Sequence, residues 1–176
     1  MRNNKQEGIN NPEVVFNTNQ SVNLTRQEIG QLVKAARKNC RNRIRFCVHQ
    51  TEEELLHQMF IVHPRHAYVR PHMHIEKSES IVVLDGNVDY IIFDEVGNIK
   101  ERLEMGPYNS GRPFFQSAGP GIVHTLLIHS EWLVFLEITE GPFVKEGTKY
   151  AEWSPLETDH DGAADFVRSL SRKTSG

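Results

Sequence analysis

The polar and apolar positions of this chain change rhythm near residue 59. Residues 1–20 are polar and Asn-rich, with too few apolar groups to bury a face, so a flexible tail is expected there. A helical period then sets in, with Ile29, Leu32, Val33 and Ala36 forming one stripe. Thr25 and Glu28 have the spacing of a capping box, and Leu24 and Ile29 that of a hydrophobic staple. Lys34, Arg37 and Lys38 suit the negative end of the helix dipole, and the helix is expected to end near Asn39. Residues 43–49 alternate loosely, as an edge strand would. Residues 51–54 repeat a capping-box pattern that predicts a helical turn over residues 52–57. Residues 21–58 therefore read as a helical extension packed on a C-terminal body.

From residue 59 the period shortens to two. Strands are predicted over residues 59–63, 81–84, 87–93, 99–104, 114–117, 122–128 and 132–139, separated by Gly, Pro, Asn and Asp clusters. Several are apolar on both faces. One face would line a barrel, and the other needs cover from a helix, a second sheet or another subunit. Many short strands at close spacing indicate an all-β sandwich or barrel over residues 59–157. Asp161 is placed to cap a short last helix carrying Ala164, Val167 and Leu170, so residues 158–176 read as a C-terminal helix and tail.

Length and composition narrow the picture only a little. At 176 residues and 38% hydrophobic content, one domain with a real core is expected. Lys and Arg outnumber Asp and Glu nine to three before His49, and the balance reverses to eleven against twenty from there on. A solvated basic helix on an acidic body accounts for that asymmetry. The net charge of −3 gives no reason to expect nucleic acid or an anionic membrane. Cys40 and Cys47, seven apart, form no disulfide framework and no CxxC pair, so they read as packing residues of a reducing compartment. No run approaches the ~18 apolar residues of a membrane span, and a cytoplasmic protein is expected.

The chemistry concentrates in residues 70–86. His72 and His74 are two apart, so on a strand both imidazoles leave the same face. Glu79 follows after room for a short turn, then an apolar strand and the Asp85-Gly86 turn. Glu76 is a competing carboxylate, but it shares that face only if the strand runs on unbroken. His124 begins another apolar strand three residues after Gly121. Three imidazoles and one carboxylate suit one divalent first-row metal. With two octahedral positions left open, Fe(II) or Mn(II) is favoured, and Ni(II) and Zn(II) stay open. Arg70 is a candidate clamp for a substrate anion, and Tyr68 and Tyr90 are candidates to hold a substrate hydroxyl.

These residues carry a resemblance. His72-x-His74-x4-Glu79-x6-Gly86 matches the histidine-carboxylate part of the first cupin motif, and Gly121-x-x-His124 the core of the second. The chain resembles the cupin superfamily, and within it the WbuC-type metalloproteins of bacterial polysaccharide and O-antigen genes. The closer likeness lies in Tyr68-Val-Arg-Pro-His-x-His74, Ile92-Phe-Asp94, Glu137-x-x-Glu140-Gly-Pro-Phe143, Lys149 and Ala151-x-Trp-Ser-Pro155. It departs at His66, Gly119 and Ile128, where the motifs usually have Gly, Pro and Asn. The resemblance implies a six- to eight-stranded jelly-roll barrel with the metal inside its mouth, and a homodimer. It implies no established reaction. Walker, Rossmann and Gly-x-Ser-x-Gly patterns are absent. Two readings remain. One is a metal enzyme, an isomerase, lyase or dioxygenase, acting on a small carbohydrate-derived molecule. The other is a non-catalytic cupin that binds or senses a small molecule.

Overall fold

Period-two stretches become the strands of two facing sheets, and the two helical stretches become the covers on their outer faces. The computed structural model describes residues 13–172. In chain order the elements are β1 (Val14–Phe16), α1 (Arg26–Ala36), β2 (Ile44–Cys47), β3 (Leu56–Pro64), β4 (His72–His74), β5 (Glu79–Asp85), β6 (Val88–Phe93), β7 (Ile99–Met105), β8 (Phe115–Ala118), β9 (His124–Ile128), β10 (Trp132–Glu140), β11 (Thr148–Tyr150) and α2 (His160–Arg172). One sheet runs β1-β2-β3-β10-β5-β8 and the other β11-β4-β9-β6-β7. This is the all-β jelly roll with two added helices.

Strands that are apolar on both faces find both kinds of cover. Inward residues such as Ile81, Val83, Tyr90, Leu126 and Phe135 form the core between the sheets. On the outside, Ile29, Leu32, Val33 and Ala36 of α1 pack on Ile44, Val62 and Val134 of the six-stranded sheet. Phe166, Val167 and Leu170 of α2 pack on Ile91, Phe93 and Leu127 of the five-stranded sheet. The capping box at α1 forms as expected: Thr25 Oγ1 accepts from the Glu28 amide, and Glu28 Oε2 accepts from the Thr25 amide at 2.6 Å. Gly86 turns β5 into β6 at φ +91°, and a Cβ there would sit 2.3 Å from the Trp132 carbonyl oxygen. Only glycine satisfies both demands.

The structure departs from expectation in four places. Of the expected tail, residues 1–12 lie outside the described residues, while Val14–Phe16 pairs in parallel with β2. Consequently β2 is not an edge strand, since β1 covers it. The second capping box opens no helix. Glu54 Oε1 does accept from the Gln50 and Thr51 amides, but the chain then enters β3, whose alternation His57, Met59, Ile61 buries a face that one helical turn could not. At α2 the cap is Asp159, whose side chain accepts from the Gly162 amide, so the buried stripe starts at Ala163 and Ala164 is exposed.

Candidate metal centre

Three strands deliver the four residues. β4 pairs with β9 so that His72 lies opposite His124, which puts two imidazoles from neighbouring strands on one inner face. His74 shares that face by the two-residue period and is held on its other side by β11, where Thr148 lies opposite it. Glu79 opens β5 in the facing sheet, between Thr139 of β10 and Ala118 of β8. One ligand-type atom from each of His72, His74, Glu79 and His124 falls within 4.8 Å of every other. Glu79 is buried and Glu76 is exposed, because the strand breaks after His74 instead of running on.

The hydrogen bonds set the tautomers. His72 Nδ1 lies 2.8 Å from the Arg70 carbonyl oxygen and His124 Nδ1 lies 2.9 Å from that of Ile122. A carbonyl only accepts, so both rings donate from Nδ1 and turn an Nε2 lone pair inward, as metal-ligating imidazoles do. His74 instead meets Glu79 Oε2 through Nε2 at 2.9 Å, with Thr148 Oγ1 3.3 Å from its Nδ1. His124 Nε2 is buried and makes no hydrogen bond, although Glu79 Oε1 is 3.3 Å away. A lone pair facing a carboxylate oxygen, both out of water, is a repulsive contact unless a proton or a metal ion lies between them. The donor set therefore fits a metal ion on the cluster's own geometry.

Electrostatics agree. Burial pushes His72 down to about 4, helped by His124, so this ring is neutral at ordinary pH. Burial alone would raise Glu79, yet His124 and His74 outweigh it and hold the carboxyl well below the usual carboxylate range. Burial likewise acts to lower His124, and Glu79 more than reverses that, raising it above its ordinary value. Below that raised value the metal-free cluster holds a proton that an arriving cation must displace.

The cluster lines a cavity of about 420 Å³ between the sheets, which also takes in Arg45, His63 and Glu137. Of the three residues expected to meet a substrate, Tyr68 and Arg70 line this cavity and Tyr90 lies behind it. Tyr68 Oη donates to the Pro155 carbonyl, and Arg70 donates to Ser154 and Ala151 while lying over the Tyr150 ring, so both fasten the segment that follows β11. Tyr90 is 2% exposed and stacks on His124 at 5.1 Å, supporting that ring from the core. Cys47 is a buried free thiol pushed up to about 11 by burial, which suits packing and not reactivity.

Glu137 belongs to no ligand motif, and sequence reasoning passes over it. On β10 its inward neighbours are Leu133, Phe135 and Thr139, so a carboxylate on an apolar face is the signal that marks it. Glu137 lies opposite Ile81, two residues from Glu79 on the same face, at a diagonal distance of about 7–8 Å. Burial, and then the Glu79 charge, push it up to about 7.

The fold and site together define a cupin-type double-stranded β-helix with a His-His-Glu-His cluster able to hold one metal ion. A family described as a domain of unknown function (DUF6016) matches residues 24–105. No curated protein matches the sequence. Among solved structures, an uncharacterized conserved protein with a double-stranded β-helix domain from Klebsiella pneumoniae is 19% identical with a TM-score of 0.52, covering 76% of this chain and 99% of that one. KdgF from a Halomonas species is 15% identical (TM-score 0.46, covering 59% and 83%). Oxalate decarboxylase from Bacillus subtilis is 20% identical (TM-score 0.47), covering 68% of this chain and only 31% of its own length. The first of these likenesses shows the fold, and the other two are too distant to add to it. Among the described residues no helix is long and apolar enough to cross a membrane.

Proposed function

We propose that this protein is a mononuclear metal enzyme of the WbuC type that acts on a small polar, carbohydrate-derived molecule in polysaccharide biosynthesis. The pathway rests on the likeness of roughly residues 43–157 to that group and on nothing else. The observation that carries the enzymatic reading is the place of Glu137, which lines the same cavity of about 420 Å³ as the cluster and whose carboxyl burial pushes up to about 7. A group poised there gives and takes protons at physiological pH, and a metal bound beside it supplies Lewis acidity. A purely structural metal would have no use for a cavity or for an unpaired acid. The ligand set favours Fe(II) or Mn(II) over Zn(II), which more often takes three protein ligands in catalytic sites.

Two measurements test this. Untagged protein purified without chelators is expected to contain one divalent metal per chain. Glu137→Gln is expected to keep that metal while losing turnover by about 100-fold or more, read as depletion of one metabolite pool from a cell extract by wild type alone. Depletion by neither protein argues for a non-catalytic binding role, and equal depletion by both removes Glu137 from the chemistry.

A homodimer is part of the same proposal. Leu84, Phe114 and Phe115 are 40%, 38% and 50% exposed on or beside β5 and β8, and the first two line an open groove whose far wall is the start of α1. A second copy covering them would satisfy their apolar surface. Sedimentation is expected to give twice the chain mass, and Phe115→Glu to give the chain mass.

A further inference from the structure

The cavity has a second end. Along β2 the residues alternate, with Ile44 buried under α1 while Arg43, Arg45 and Cys47 line the cavity. Three arginines gather on this rim, and two of them are paired. Arg41 bonds Glu13 and lies 3.8 Å from Glu157, and Arg43 lies 3.6 Å from Glu13 and 3.9 Å from Glu157. The Arg45 guanidinium, on a residue exposed at this rim, makes no ion pair and no hydrogen bond among the described residues. Its charge is felt instead by groups inside, namely Cys47, His49, His63 and Glu137.

Beside it stands His63. Arg45 lies opposite Ile61 on β3, so His63 is its diagonal neighbour on the same face, about 7–8 Å away. His63 Nδ1 is buried without a partner, in a recess of about 260 Å³ that Arg41, Arg43 and Arg45 also line. A guanidinium offers only donors, and a neutral imidazole can offer one more. Glu13 and Glu157 are occupied by the other two arginines. Among the described residues no oxygen acceptor is bonded to Arg45 or to His63 Nδ1.

We propose that Arg45, with His63, is the second anchor of the ligand, binding a carboxylate or phosphate at the end of the molecule remote from the metal. This rests on the metal-site reading and adds to it the class of substrate, an elongated oxyanion. The length comes from the sheet. β2 and β5 are three strand spacings apart through β3 and β10, about 14 Å along the curved sheet at ~4.8 Å per strand. The metal-binding oxygens and the anionic group therefore sit at opposite ends of a chain of several atoms. The fork geometry of Arg suits a bidentate oxyanion.

The test uses Mn(II)-loaded full-length protein and calorimetry at constant ionic strength, with four probes. Gluconate carries a carboxylate, sorbitol 6-phosphate carries a phosphate, sorbitol carries neither, and oxalate is too short to leave the metal. Wild type is expected to bind gluconate, sorbitol 6-phosphate or both at least tenfold more tightly than sorbitol, and whichever binds names the anion. Arg45→Gln is expected to lose about tenfold on that probe while Mn(II) content and oxalate affinity stay within twofold. Arg45→Lys should fall between, and Arg26→Gln on α1 should match wild type. The proposal is overturned if Arg45→Gln binds both anionic probes as wild type does, or if wild type prefers neither over sorbitol. Protein that takes up no Mn(II) and no oxalate overturns the metal-site reading alone, and the same probe comparison on metal-free protein still decides the role of Arg45.

Discussion

Replacing His124 with alanine is expected to empty the cluster of metal. Wild type should hold one ion per chain, and the variant fewer than about one in ten with metal at about 1,000 times the wild-type Kd, a loss of about 10,000-fold or more in affinity. A metal present at about 1,000 times its Kd stabilises the folded chain by about 4 kcal/mol, or roughly 10 °C in Tm for a domain of this size. Chelation should therefore lower the wild-type Tm by about that much and leave that of His124→Ala unmoved. His160→Ala, at the exposed start of α2, is the control and should behave as wild type. A wild-type Tm that chelation does not change would count against the site.

The same residue fixes the pH dependence. In metal-free protein the proton on His124 is held by Glu79, so its folded pKa lies above its unfolded one. The stability from that proton is fully present below the unfolded value and is lost as pH rises through the folded value. A metal must displace the proton, so its affinity moves the opposite way and strengthens as pH rises through that value. The gap in Tm between metal-loaded and metal-free protein should thus widen as pH rises above the ordinary histidine value of about 6.5. A gap that narrows would mean that the ring carries no proton to displace.

What is legible in the sequence and what is not divide along a physical line. The cluster is legible because its residues obey strand periodicity. His72 and His74 share a face by their spacing alone, and a strand break after His74 is what separates Glu79 from Glu76. His124 is fifty residues beyond His74, and only its place at the head of an apolar strand marks it. The covers are legible too, since both helices show one apolar stripe. Anything set by pairing across the barrel is not. β1 and β11 are three-residue strands whose partners hold them, not their own patterns. Arg70 and Tyr68 flank the histidines and line the cavity, and what their spacing does not show is that they also hydrogen-bond the segment after β11. Glu137 and Arg45 lie on strands distant in sequence from the cluster, and only the closing of the sheets puts them in one cavity.

Long-range pairing also governs the outer face of the sheet that carries His124. Asp89 on β6 is 2% exposed among apolar neighbours, a position a carboxylate tolerates only with partners. It has two, Arg102 Nη1 at 2.7 Å and His129 Nε2 at 2.9 Å. Arg102 also donates to the Leu170 carbonyl at 3.0 Å, so one guanidinium neutralises the buried acid and ties down the last turn of α2. Removing it leaves Asp89 with the half-exposed His129 alone and the α2 carbonyl without its donor. Arg102→Met is expected to cost about 3 kcal/mol, the lower end for breaking a buried pair because His129 remains. The pair itself need not be worth that much. Desolvation of both charges offsets their attraction, so Asp89→Leu combined with Arg102→Met should recover most of the loss. Denaturant unfolding of the two single variants and the double closes the cycle. Near-additive losses would show Asp89 and Arg102 acting separately. A large coupling would show that α2 is pinned through this charge pair, with the metal content of all three variants unchanged because the inner face of β9 is untouched.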